Sequence, residues 1–185
     1  GRVVFVIDNS LSMAQLDEGQ SLFSKARESA IERLEELPIG AQVAVVSMGG
    51  TAEAFGDRLH GQLERARANL EGIQQSYGGT DLVGGLHAAR ILLEGEPGDV
   101  LVFTDEAGPG GVEEASLELE LLLGIGASVI PVSLQTGVPE NIAVTHAEYG
   151  EGLGDVPKGS FIWWCTARKG IMRPEQGGTE LFRKW

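Results

Sequence analysis

One cysteine, Cys165, stands in 185 residues, so no disulfide can form within the chain. Its neighbours Trp163 and Trp164 suggest a buried apolar strand and a structural thiol. Basic residues are scarce: 14 Lys and Arg face 27 Asp and Glu, for a formal net charge of −13. Nucleic-acid phosphates and anionic lipid would be repelled. No apolar run approaches the roughly 20 residues of a membrane helix, so no direct membrane insertion by this segment is expected. No signal peptide is visible. The three histidines, His60, His87 and His146, lie in no metal-ligand spacing. Asp8 to Met13 contains no glycine, which excludes a dinucleotide fingerprint after the first strand, and a phosphate-binding P-loop is absent too.

What is present is a globular composition. The chain is 42% hydrophobic, enough for one domain with a real core. Val3-Val4-Phe5-Val6-Ile7 is a continuous apolar run, the pattern of a strand buried on both faces. A chain that opens so abruptly on a core strand reads as an excised domain. Phe23, Ala26, Ala30, Ile31, Leu34 and Leu37 recur at helical spacing until Pro38 and Gly40 stop them. Val43–Val46 predicts a second buried strand, and Gly49-Gly50 a turn into a short antiparallel edge strand over Ala52–Phe55. Helices are expected over Leu63–Ile73, Leu82–Leu93 and Val112–Leu123, and strands over Val100–Phe103 and Ser128–Val132. Pro131 requires a bend in that last strand or a position needing no donor.

Strands alternating with helices predict an α/β fold with a mostly parallel, doubly wound sheet. Beyond Gln135 the pattern weakens. Ile142–Thr145 and Phe161–Cys165 both suit a strand, Thr179–Trp185 a short helix and Glu148–Gly159 a loop, with no basis for choosing which strand completes the sheet. The working division is a core over 1–135 and a C-terminal part over 136–185, either the last strand and helix or the start of a following region.

Ligands of open α/β sheets bind beyond the carboxyl ends of the strands, where strand order reverses. Two strands end in an aspartate there, Asp8 directly and Asp105 through Thr104. If the strands are neighbours, both carboxylates share one rim. They repel unless a cation lies between them, and hard oxygen ligands suit magnesium, manganese or calcium. Ser10 and Ser12 add hydroxyls at alternate positions after Asp8, and Thr80 supplies another after two glycines. Each piece has a plainer role. Ser12 alone reads as a helix N-cap, Thr80 as a cap for the helix near Leu82 with Asp81 in its first turn, and Asp105 as a turn residue. Asp8 resists this, because a carboxylate straight after five buried apolar residues needs a partner.

Asp8-Asn9-Ser10-Leu11-Ser12 resembles the Asp-x-Ser-x-Ser motif of von Willebrand factor A domains. Thr80, within Gly78-Gly79-Thr80-Asp81-Leu82, resembles that family's second metal loop, and Thr104-Asp105 the third. The resemblance covers Gly1 to about Gln135. It implies a Rossmann-like sheet of order 3-2-1-4-5-6 and a metal-ion-dependent adhesion site. Ser10, Ser12 and Thr80 would touch the metal, Asp8 and Asp105 would often act through water, and one open position would take a carboxylate from a partner protein. Asn9, Leu11, Met13, Gly79, Asp81 and Glu106 would form the rim, with burial an equal prospect for Leu11 and Met13. Glu106 departs from the family's usual glycine; unless it faces solvent, it crowds the open position or alters its charge preference. Phrases such as Asn141-Ile142-Ala143-Val144 resemble bacterial membrane-anchored A-domain proteins of the aerotolerance (Bat-like) type, which implies a soluble domain of a membrane-anchored protein.

The expected function is therefore a metal-dependent protein-binding module rather than an enzyme. One alternative is a magnesium-dependent phosphotransferase of the haloacid-dehalogenase kind, but the second aspartate it needs is here Ser10, and no lysine partner for a nucleophile stands nearby. The other is a metal-free scaffold, against which the intact five-residue set argues.

Overall fold

The computed structural model describes residues 1–105 and 115–134 in full, together with the strand backbones of a C-terminal part. The chain divides into two compact units, Gly1–Thr136 and Gly137–Trp185.

The first unit runs β1 (Arg2–Ile7), a single 3₁₀ turn (Leu11–Ala14), a two-stranded hairpin β2 (Leu16–Asp17) and β3 (Gln20–Ser21), then α1 (Leu22–Glu35). Next come β4 (Gln42–Ser47), β5 (Glu53–Ala54), α2 (Leu63–Gly72), α3 (Leu82–Leu93) and β6 (Asp99–Phe103). A fourth helix, α4 (Ser116–Gly124), and β7 (Ser128–Val132) complete it. The sheet order is β5-β4-β1-β6-β7. β1 lies parallel between β4 and β6, β6 pairs parallel with β7, and β5 runs antiparallel to β4. That is the expected order for its first five strands. Pro131 stands opposite Val102 in β7, the outermost described strand on that side, where a missing donor costs the ladder least.

Alternation along β1 explains the layers. Val3, Phe5 and Ile7 point to one face and pack with Leu22, Phe23, Ala26 and Ala30 of α1 and with Ala66 and Leu70 of α2. Val4 and Val6 point to the other and pack with Leu86, Ala89 and Leu93 of α3 and Leu122 of α4. A strand covered on both sides must be apolar at every position, and all five residues from Val3 to Ile7 are buried. β4 and β6 repeat the pattern.

The hydrophobic spacing of α4 hides a polar contact. Glu118 is buried while Leu117 and Leu121 are exposed. Its carboxylate accepts from Arg90 Nε at 2.8 Å and lies 3.0 Å from His87 Nδ1, tying α4 to α3. His87 is exposed on α3 and serves as a surface partner of Glu118. The Arg90 guanidinium, chiefly, and then His87 hold the Glu118 carboxyl below its usual range, against the opposing effect of burial. A lowered folded-state pKa contributes stability that is complete above the unfolded value and disappears as pH falls through the folded one. Glu118→Gln should lower Tm by roughly 2–4 °C at pH 7. Thermal melts should show that gap closing below about pH 4.

The two strand candidates after Gln135 do not compete for one place. β8 (Ile142–Glu148) and β9 (Ile162–Ala167) pair antiparallel with each other, with an irregularity between Val144 and His146, and β10 (Gly170–Ile171) extends β9. Both are apolar enough to be sheet-forming, and each takes the other as its partner. No described strand fills a sixth position in the first sheet. The start of the expected helix at 112–114, most of the Gly-rich loop over 149–159 and the helix expected over Thr179–Trp185 lie outside the described residues.

Candidate metal centre at the carboxyl end of the sheet

β1 and β6 are neighbours, and Ile7 stands opposite Phe103. Asp8 and Thr104 therefore leave the sheet side by side, and the Asp8 N–H donates to the Phe103 carbonyl at 2.9 Å. This is where strand order reverses, with β4 on one side of β1 and β6 on the other.

Asp8 is fully buried, and its carboxylate organises the loops around it. Oδ1 accepts the Ser10 N–H at 2.9 Å. Oδ2 accepts from Thr104 Oγ1 at 2.8 Å and lies 3.0 Å from Thr80 Oγ1. Thr80 Oγ1 is also 3.0 Å from Ser10 Oγ, and Ser10 Oγ is 3.1 Å from Ser12 Oγ. Four of the five sequence-derived candidates, Asp8, Ser10, Ser12 and Thr80, are thus joined in one cluster. The fifth, Asp105, is buried one residue beyond Thr104.

The donor set is all oxygen. Adjacent ligands of an octahedral ion at about 2.0–2.1 Å stand roughly 2.9 Å apart, and those of the larger calcium ion stand further apart. The hydroxyls here stand 3.0–3.1 Å apart as hydrogen-bond partners, an oxygen cluster that suits a hard divalent cation without choosing among magnesium, manganese and calcium. Among the described residues no three or more His, Cys, Asp or Glu side chains gather as a metal site of their own; this cluster relies on hydroxyls, as hard-cation chemistry permits.

The loops are locked from behind. Asn9 accepts the Gly49 N–H at Oδ1 (2.7 Å) and donates from Nδ2 to the Gln74 carbonyl (2.8 Å). Gln75 Nε2 reaches the carbonyls of Asn9 and Ser10, and the Leu11 N–H donates to the Gly78 carbonyl at 2.9 Å. On the other side, Gly50 N–H meets the Gly79 carbonyl at 2.6 Å and Asp81 N–H meets the Met48 carbonyl at 2.7 Å, which seats Thr80.

Several expected roles shift. Asp81, not Thr80, caps α3: its side chain accepts from Gly84 N–H at 3.0 Å and from Ala52 N–H at 2.9 Å. Both Asp81 oxygens are so engaged, and Thr80 is left to the cluster. Ser12 lies inside the 3₁₀ turn, where Ser10 holds the N-cap position without a side-chain cap bond. Asn9 is a buried brace rather than a rim contact, and Met13 is core. Leu11 and Gly79 are exposed at the rim. Glu106 lies outside the described residues. By sequence Thr104 is named within the third loop without a role of its own, and Gln75 is not singled out. Thr104 had a signal, its place between a buried strand and Asp105; Gln75 had none, since only the fold brings it to Asn9.

Gly49 packs closely against Asn9. A Cβ there would stand 2.6 Å from Asn9 Oδ1 and 2.8 Å from the Asn9 carbonyl carbon. Gly49→Ala should push Asn9 and the Asp8–Ser12 loop aside, weakening divalent-cation affinity by about 10–100-fold, the usual cost of disturbing a metal's supporting shell. Titration calorimetry beside a thermal melt separates that loss from unfolding.

Similarity to known proteins bears on the fold and the family. BatB from Bacteroides thetaiotaomicron, a conserved hypothetical protein, is 25% identical, with a TM-score of 0.61 over 70% of this chain and 64% of that one. This chain therefore spans less than two thirds of that relative. An aerotolerance-related membrane protein from Bacteroides fragilis is 21% identical, with a TM-score of 0.63 over 88% of this chain and 80% of that one. Proximal thread matrix protein 1 of the mussel byssus is 19% identical, with a TM-score of 0.57 over 70% and 34%. The last two show a shared fold. No curated protein matches the sequence. The family model for the von Willebrand factor type A domain matches residues 3–108, a stretch that contains Asp8, Ser10, Ser12, Thr80 and Asp105, and the chain belongs to that family.

Proposed function

We propose that this domain is a metal-dependent protein-binding module in which a divalent cation, magnesium or else manganese or calcium, receives a carboxylate from a partner protein. The family generally serves protein interaction and adhesion. The observation that carries the metal reading is the cluster of Ser10, Ser12 and Thr80 hydroxyls at 3.0–3.1 Å spacing around the buried Asp8 carboxylate. Ser10, Ser12 and Thr80 would hold the ion, and Asp8 and Asp105 would balance its charge through bound water. Bound there, the ion supplies Lewis acidity and charge for one incoming oxygen ligand.

The described residues around it brace and orient the loops, Asn9 and Gln75 foremost. Asp8 has one oxygen on a backbone N–H and the other on two hydroxyls, which suits a fixed counter-charge. By resemblance to the Bat-like neighbours, the domain would be carried by a membrane-anchored bacterial protein.

Calorimetry of the wild-type protein with magnesium, manganese and calcium tests the first step. One ion per chain is expected. A protein that takes up none of the three would end this reading.

A further inference from the structure

We infer that the partner's carboxylate belongs to an acidic residue flanked by bulky apolar side chains in an otherwise neutral or basic segment, recognised by an apolar rim of Leu11, Leu16 and Tyr77. This rests on the metal-site reading above and specifies what that site grips.

Three of the exposed large apolar side chains stand on the loops that follow or precede cluster residues. Leu11 is 54% exposed, Leu16 66% and Tyr77 87%. The Leu11 N–H donates to Gly78, the residue after Tyr77, so these two side chains are carried by loops that touch. Leu16 is four residues past Ser12, no more than about 14 Å of chain. A standard interface buries about 800 Å² per partner, a disc of roughly 16 Å radius. All three are therefore within that radius of the cluster along the chain, close enough for a protein docked on the ion to reach.

The segment holding Leu16 is firmly built. Asp17-Glu18-Gly19-Gln20 is a two-residue hairpin turn with Glu18 and Gly19 both at positive φ (54° and 85°), the geometry that matches strand twist. Leu22 N–H donates to the Gln15 carbonyl at 2.9 Å. Lys25 of α1 clamps the hairpin through Asp17 at 2.7 Å, with both side chains largely buried. A preordered apolar side chain loses little entropy on binding, and exposed tyrosine is a frequent energetic anchor of interfaces.

Charge decides the rest of the partner. The segments 8–25 and 74–84 carry Asp8, Asp17, Glu18 and Asp81 against Lys25 alone; a bound divalent cation offsets most of that charge, and the field a partner meets is then that of the whole chain at −13. A second carboxylate beside the coordinating one would meet this field unpaired, whereas Lys or Arg beside it would be attracted.

A peptide array tests this, each spot holding one central glutamate. The flanks are Leu/Phe or Ser/Gly, and each pair is made with two added lysines or two added aspartates. Magnesium-loaded protein should bind Leu/Phe-flanked, lysine-bearing peptides at least fivefold more strongly than Ser/Gly-flanked ones, with the signal lost in chelator. Leu16→Ser/Tyr77→Ser should abolish the flank preference while magnesium affinity by calorimetry is unchanged. Ile39→Ser, an exposed apolar residue in the turn after α1, should keep the preference. Magnesium-dependent binding indifferent to the flanks, or to the double substitution, overturns the rim and leaves the metal site standing. Binding unaffected by chelator, or a wild-type protein that takes up no magnesium, overturns both.

Discussion

Asp8→Ala should abolish divalent-cation binding, with affinity down by about 100-fold or more, and should cost little of the fold. The two effects come from the same carboxylate and run in different directions. In metal-bound protein, Asp8 supplies part of the negative charge facing the ion, and its oxygens fix Thr80 and Ser10 at 3.0 and 2.9 Å. Removing a partner that orients the ligands typically costs 10–100-fold by itself, and the lost charge adds to it. In metal-free protein, a fully buried carboxylate is expensive. Its three donors recover some of that cost, but three donors to an anion are not a counter-ion. Deleting it strands the Ser10 N–H while the Thr80 and Thr104 hydroxyls turn to other acceptors, and it also removes a buried charge. The net change in metal-free stability should stay within about 2 kcal/mol. Calorimetry with magnesium and urea unfolding with and without the ion read both effects. In wild type the ion should raise the midpoint, by mass action on the folded state; in Asp8→Ala it should not. Equal magnesium affinities for the two proteins would refute the site.

The same carboxylate shows why some of this molecule was legible from sequence. β1 and β6 must be apolar at every position because helices cover both faces, so five consecutive apolar residues followed by Asp reveal both a central strand and its exit. Parallel order then brings Asp8 and Asp105 to one rim, and that inference needed only local patterns. Thr80 was harder, because a threonine before a helix has the same local signature as a cap. What separates the roles is Asp81, whose two oxygens take the Gly84 and Ala52 N–H groups. Ala52 is 29 residues away, so the signal is tertiary. Asn9 is hidden for a related reason. It lies in a polar loop, yet loops 74–78 and 48–50 close over it; for Met13, where rim and burial are equal prospects by sequence, the 3₁₀ turn decides for burial. Glu118 defied its helix pattern because Arg90, on another helix, makes its burial affordable. After Gln135 the failure was one of alternatives: two strand-like stretches were weighed as rivals for one sheet, and β8 and β9 instead satisfy each other's backbone groups.

Phe103→Ala should be the most destabilising single truncation near the site, at about 3–5 kcal/mol. Phe103 is fully buried at the end of β6, and its ring stacks on Phe5 of β1 with centroids 6.2 Å apart and planes at 15°. The pair sits on the face covered by α1 and α2, among Ile7, Leu22 and Met13. Truncation removes a large apolar surface and opens a cavity beneath the 3₁₀ turn that carries Ser12. Because interiors are close-packed, the surroundings can only partly collapse into it. The site should feel that relaxation, since the Phe103 carbonyl receives the Asp8 N–H and Thr104 follows directly. Tm should fall by roughly 10 °C, and magnesium affinity in the folded population should drop several-fold. Phe103→Leu, which keeps most of the volume, should lose about 1–2 kcal/mol and little affinity. Leu117→Ala, on the exposed side of α4, should stay within about 0.5 kcal/mol of wild type. Urea unfolding of the three variants ranks them. If Phe103→Ala lies as close to wild type as Leu117→Ala, the ring stack does not hold the strand ends together. The cluster at Asp8 would then owe its shape to the loop hydrogen bonds of Asn9 and Gln75 alone.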